Sequence, residues 1–231
     1  MYEPIPHIAT PEEYTNIHPT HCEFIRIVSN DKIDVRMQYP LLNFQHAIGD
    51  CYIRCTVYEK LLAAQRLLPE GYKIRVWDAW RPFSLQQEIF ETYYKDIVEN
   101  FALSDMPLQQ QLSVISKYVS LPNDNRMYPP LHTTGGAVDV TLLDPLGNEV
   151  EMGTAFDDFS PKAHTGYFEE NPFDPSIREN RRILYTCMTR VGFVNLPSEW
   201  WHYSYGDRVW AYYNNTPALY CGVYTTEELK K

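Results

Sequence analysis

Residues 137–143, Ala-Val-Asp-Val-Thr-Leu-Leu, set a carboxylate inside an otherwise apolar run. The run reads as a strand, and an ionised Asp139 within it is costly unless a cation, a metal or several donors meet it. Just upstream stand His132 and the diglycine Gly135-Gly136. Glycines permit the tight reversal that lets His132 and Asp139 converge. Any fold for this chain must therefore build its sheet around a polar point. Taken alone, the stretch also fits a hydrogen-bonded aspartate closing a turn, with a surface histidine nearby.

Two other clusters carry chemistry. Glu199-Trp200-Trp201-His202 places an acid three residues before an imidazole, and the strand-like residues that follow put Glu199 in the bend after Pro197-Ser198. If His202 joins His132 and Asp139, three protein ligands leave a fourth position open, the pattern of a catalytic rather than a structural zinc site. A nearby acid that does not ligate is then the general base a hydrolase needs. The plain alternative is an aromatic strand with a capping glutamate. Asp78-Ala79-Trp80-Arg81-Pro82 closes a strand that begins near Tyr72. Arg81 there can donate to an oxyanion or a substrate carboxylate, or pair with Asp78.

The chain has 231 residues, 44% of them apolar and 22% charged, as in ordinary globular proteins. No repeat, low-complexity tract or linker divides it, so a single domain over residues 1–231 is expected, with 1–23 as an N-terminal extension. A net charge of −10 argues against a nucleic-acid partner, and no apolar run approaches the ~18 residues that cross a bilayer. The first residues lack the basic and apolar regions of a signal peptide. Five scattered cysteines fit free thiols in a reducing compartment, so a cytoplasmic location is expected. Cys51 and Cys55 read as neighbours on one helical face.

The periodicity predicts an α+β fold with a mostly antiparallel sheet packed against helices. Helices are expected from Thr10-Pro11, from Asp50 to Leu68, from Ser84 to Asn100, after Pro107 to about Ser120, and from Ser176 to Gly192, with Ser84/Gln87 and Ser176/Glu179 as capping boxes. Strands are expected in 24–39 about a turn at Ser29-Asn30-Asp31, at 72–77, at 137–143, and twice or thrice in 193–213. Asp144-Pro145-Leu146-Gly147-Asn148 reads as a hairpin turn and 153–175 as a long functional loop. Histidines 7, 18, 21, 46 and 164 lack such context.

In this order, the clusters resemble the zinc-dependent D-alanyl-D-alanine dipeptidases of the VanX type. The family pattern S-x-H-x-x-G-x-A-x-D matches from His132 through Gly135 and Ala137 to Asp139. E-x-W-H matches at 199–202 and D-x-x-R-P at 78–82. Asp34-Val35-Arg36 with Asn43-Phe44, and Met152-Gly153-Thr154 with Phe156-Asp157, add further echoes. The resemblance implies one zinc per chain on His132, Asp139 and His202, Glu199 as general base, and Arg81 at the tetrahedral intermediate. It also implies Asp157 at the substrate ammonium and a small dipeptide as partner. The chain departs from the pattern at Pro130, where the family has serine, and at Met37, where many relatives have tyrosine, with Tyr39 two residues on. These departures keep open a same-fold zinc peptidase with another D-amino-acid or cell-wall peptide as substrate. A non-catalytic zinc module is a further alternative.

Overall fold

The structure is a computed structural model and describes residues 2–230, apart from 13, 15, 21, 117, 172 and 173. The strands are β1 (Phe24–Ile27), β2 (Ile33–Val35), β3 (Cys51–Arg54), β4 (Lys73–Asp78), β5 (Ala137–Leu143), β6 (Val194–Asn195) and β7 (His202–Ser204). The α-helices are α1 (Gln38–Leu41), α2 (Cys55–Gln65), α3 (Phe83–Asn100), α4 (Leu108–Ile115), α5 (Tyr167–Glu170), α6 (Pro175–Arg190) and α7 (Arg208–Asn214).

Five strands form the main sheet in the order β2-β4-β5-β7-β6, and β1 pairs with β3 in a separate ribbon. β2 lies parallel to β4, and every other ladder of the main sheet is antiparallel. The expected α+β class with a mostly antiparallel sheet is the one observed. β5 occupies the centre, and all seven of its residues are buried. One apolar core joins this sheet to α2 and α6 through residues such as Leu61, Val140, Leu142 and Met188. A second gathers around α3 and α4, with Tyr39, Leu85, Ile89, Ile97 and Ile115. Tyr39, Ile89 and Val119 of this second core also line the cleft described below.

Several expectations need correction. No helix forms at 10–12, and Glu13 lies outside the described residues. Residues 51–54 are strand, because they pair with β1, so the helix begins only at Cys55 and Cys51 does not share its face. Neither expected capping box caps its helix. α3 starts after Pro82 with no side-chain cap, whereas Asp174 caps α6 by accepting from the Ser176 and Ile177 amides, with Pro175 at the first helical position. Segment 208–213 is helix rather than strand, since the Asp207 carboxylate caps the Val209 and Trp210 amides. The turn at 144–148 forms, with Asp144 N–H bonded to the Asn148 carbonyl. Beyond it the pairing is short: Leu143 bridges Glu149, and the Val150 N–H donates to the Leu142 carbonyl. The long loop holds α5 and a short 3-10 turn at Pro161–Ala163, and its Pro172 and Phe173 lie outside the described residues. Among the described residues no helix is long and apolar enough to cross a membrane.

Candidate metal centre

The sheet's register assembles the centre. Asp78 on β4 lies opposite Asp139 on β5, which lies opposite His202 on β7. Residues directly opposite in antiparallel ladders project to one face, so three sequence-distant side chains share one corner. His132 arrives from a 3-10 turn, His132–Thr134, that ends on Gly135 in the left-handed conformation at φ 71°. At Gly136 a Cβ would meet the Tyr205 carbonyl oxygen at 2.5 Å, so only glycine lets this reversal lie against β7.

His132 Nε2, Asp139 Oδ1 and His202 Nδ1 face one another at 3.2 Å (His–His), 3.4 Å (His132–Asp139) and 3.1 Å (His202–Asp139). All three residues are buried. The outer ring nitrogens are fixed. His132 Nδ1 donates to the Ala79 carbonyl at 2.7 Å, and His202 Nε2 hydrogen bonds Ser204 Oγ at 3.2 Å. Such outer bonds select the tautomer whose inner nitrogen carries a lone pair. Asp139 Oδ1 has no hydrogen-bond partner although it is buried. Three lone-pair atoms crowded together repel unless a cation lies among them. A tetrahedral zinc with bonds of ~2.0–2.1 Å spaces its ligand atoms by about 3.3–3.4 Å, so the residues present fit that ion.

Around this triangle stand the other residues singled out in the sequence. Glu199 sits in the bend before β7 with Oε2 3.7 Å from His202 Nδ1, and 18% of its side chain is exposed. Burial, together with the Asp139 and Asp157 carboxylates, pushes its pKa well above the usual value. The two tryptophans beside it turn into the core, Trp200 bonding Thr154 Oγ1 through its indole N–H. Arg81 does pair with Asp78, at 2.6 Å, yet its guanidinium also reaches Gln86 at 3.1 Å and Asp139 Oδ2 at 3.3 Å. It lies 4.8 Å from the Tyr39 ring centroid. Asp157 holds a positive φ of 56°, and its Oδ2 accepts from the Tyr39 hydroxyl at 3.0 Å. Burial raises the Asp157 carboxyl to about 7, against the pull of Arg81.

His132, His202, Glu199, Arg81, Tyr39 and Asp157 line one cleft, and the aromatic side chains of Tyr93, Tyr118 and Phe159 line it with them. Sequence reasoning missed Ser204, Gln86 and the aromatic wall. Ser204 had a usable signal, since it is two residues beyond His202 and therefore on the same strand face. Of the departures noted in the sequence, Met37 is buried in the sheet core, and Pro130 accepts from the Thr133 hydroxyl through its carbonyl. His46 and His164 are exposed, and His21 lies outside the described residues.

Residues 49–220 match the family model described as D-ala-D-ala dipeptidase. The chain belongs to that family. A Synechocystis protein named D-alanyl-D-alanine dipeptidase is 34% identical over 179 residues, covering 71% of this chain and 72% of the relative. A protein of the same name from Enterococcus faecium is 31% identical, over 64% of this chain and 70% of its own length. Among solved structures, a vancomycin-resistance D,D-pentapeptidase VanY variant in complex with Zn(II) overlays with a TM-score of 0.40 at 17% identity, covering 81% of this chain and 88% of that one. With membership, the expected enzyme class stands: the chain is a zinc metallopeptidase.

Proposed function

We propose that this member of the family hydrolyses D-alanyl-D-alanine, or a closely similar small dipeptide, to free amino acids. The observation that carries the reading is the triangle of His132, Asp139 and His202 donor atoms around an unpartnered Asp139 oxygen, with Glu199 at its rim. These three residues would hold one zinc ion. When bound, zinc polarises the scissile carbonyl and lowers the pKa of water.

The remaining steps belong to the chain's own groups. Glu199 accepts the proton of the attacking water at a carboxylate oxygen and later delivers it to the leaving amine, a role suited to an acid whose proton affinity is raised by burial. Arg81, held rigid by Asp78 and Gln86, aims its charge at the developing oxyanion. Asp157, oriented by Tyr39, receives the substrate ammonium, whose charge favours the ionised carboxylate. The aromatic side chains of Tyr93, Tyr118 and Phe159 narrow the cleft and favour a small dipeptide over longer peptides.

The same reading takes 1–231 as one peptidase domain with 1–23 as an extension. It is supported by the Tyr2 and Ile5 amides, which bond Glu179 and Glu169. Five unpaired cysteines support a reducing, cytoplasmic setting, with a small dipeptide as partner. The test is D-alanine release from D-Ala-D-Ala by zinc-loaded protein, with chelated protein as control and the four alanyl-alanine stereoisomers compared. Fast, chelator-sensitive release from the D,D isomer alone is expected. A protein holding one zinc that turns over another D-amino peptide instead overturns the substrate. Full activity in Glu199→Ala overturns the mechanism.

A further inference from the structure

Among residues that do not line the cleft, two thiols meet. Cys22 precedes β1 and Cys55 opens α2. The β1–β3 ladder ends at the Phe24–Arg54 pair and is prolonged by one backbone bond, Cys55 N–H to the Glu23 carbonyl at 2.9 Å. At residue 55 the chain turns from strand to helix, and the two sulfurs lie 3.1 Å apart. The surroundings of the pair are asymmetric. Thr56 Oγ1 is 3.4 Å from Cys22 Sγ, and the buried Arg54 guanidinium donates to the Cys22 carbonyl at 2.5 Å. Burial opposes ionisation of Cys22, but hydrogen bonds from Thr56 and Cys55 and the Arg54 charge lower its thiol below the ordinary value, while the Cys55 thiol is raised. Cys22 is 8% exposed and Cys55 more so, which admits a small oxidant.

We propose that Cys22 and Cys55 form a reversible dithiol–disulfide site whose oxidant is a small hydroperoxide. The Cys22 thiolate attacks one peroxide oxygen, the O–O bond breaks, and hydroxide leaves, giving a sulfenic acid. The Cys55 thiol then attacks the Cys22 sulfur, forming the S–S bond and releasing water. Two thiols are oxidised, and one hydrogen peroxide is reduced to two waters. The inference is independent of the dipeptidase reading. Its structural reach is nonetheless clear, because Arg54 joins the Cys22 carbonyl to the Thr134 carbonyl, at 2.9 Å, in the turn that carries His132.

The test exposes the zinc-loaded full chain to hydrogen peroxide, blocks remaining thiols and maps peptides without reduction. The expected result is a mass loss of two hydrogens, a single crosslink between residues 22 and 55, and reversal by dithiothreitol. Cys187→Ser should keep the crosslink and Cys22→Ser should abolish it. In Cys55→Ser, oxidation of Cys22 should stop at a sulfenic acid that a dimedone-type reagent captures. A crosslink between any other pair, or Cys22 overoxidised while Cys55 stays a thiol in the unaltered protein, overturns the proposal. Failure to capture a sulfenic acid in Cys55→Ser does so as well.

Discussion

The two walls of the cleft are built differently. One wall carries His132 and His202 and is backed by the sheet corner, where strand register alone sets Asp78, Asp139 and His202 side by side and a glycine-enabled turn adds His132. The other wall gathers Tyr39 from α1, Tyr93 from α3, and Tyr118, Asp157 and Phe159 from connecting segments. Its shape comes from edge-on aromatic contacts, such as Tyr93 with Phe159 at 4.9 Å, and from one strained backbone position at Asp157. A sheet corner tolerates no displacement, since a one-residue slip sends each side chain to the opposite face. A wall of loops and rings can change residue by residue. On the proposed reading, chemistry belongs to the first wall and choice of substrate to the second.

The largest effect that tests this division is expected from Asp139→Asn. Replacing the unpartnered carboxylate oxygen with a neutral amide should cost more than the ~10–100-fold that loss of an outer-shell bond costs in metal affinity. Zinc content and activity should fall together, and an Asp139→Asn protein with full zinc would break the comparison at its root. Next comes Glu199→Gln, which should keep its metal and lose roughly 10²–10⁴-fold in kcat, the span assigned to general acid–base catalysis. Metal content measured beside kcat separates the two variants. Arg81→Lys keeps the charge but loses the planar fork that joins Asp78, Gln86 and Asp139. Its kcat should drop about 10²-fold, with KM little changed. The smallest effect belongs to the second wall: Tyr39→Phe removes the hydroxyl that orients Asp157. KM should rise about tenfold, consistent with the ~1.5 kcal/mol lower bound for a hydrogen bond to a charged group, while kcat and zinc content hold. A Tyr39→Phe that lost kcat instead would assign chemistry to both walls.

The same division explains what the sequence made legible. Strand β5 has the bounds its composition announces, because Asp139 within Val138, Val140 and Leu142 admits few other readings. His132, Glu199 and His202 were visible as short local patterns, and a register that pairs Asp139 with His202 brings two of those patterns together. Residues 51–54 were hidden, since Ile53 continues the helical spacing of Val57, Leu61 and Ala64, and only pairing with β1 decides for strand. Segment 208–213, full of strand-forming aromatics, was decided by one cap at Asp207. The aromatic wall was illegible for a simpler reason. Tyr39 and Asp157 are 118 residues apart, and no periodicity links residues that meet only through packing.

One consequence of the strand order concerns the chain while it is being made. His132 and His202 are 70 residues apart, and β7 is among the last strands synthesised. At translation speeds of ~5–20 residues per second, a nascent chain carries His132 for about 4–14 s before His202 exists. During that interval β5 has β4 on one side and an unpaired, mostly apolar edge on the other, the kind of edge that recruits neighbouring chains. The arrival of β7 ends both conditions at once. It covers that edge and sets His202 beside His132 and Asp139, so nascent chains halted short of β7 lack that histidine and remain prone to aggregation.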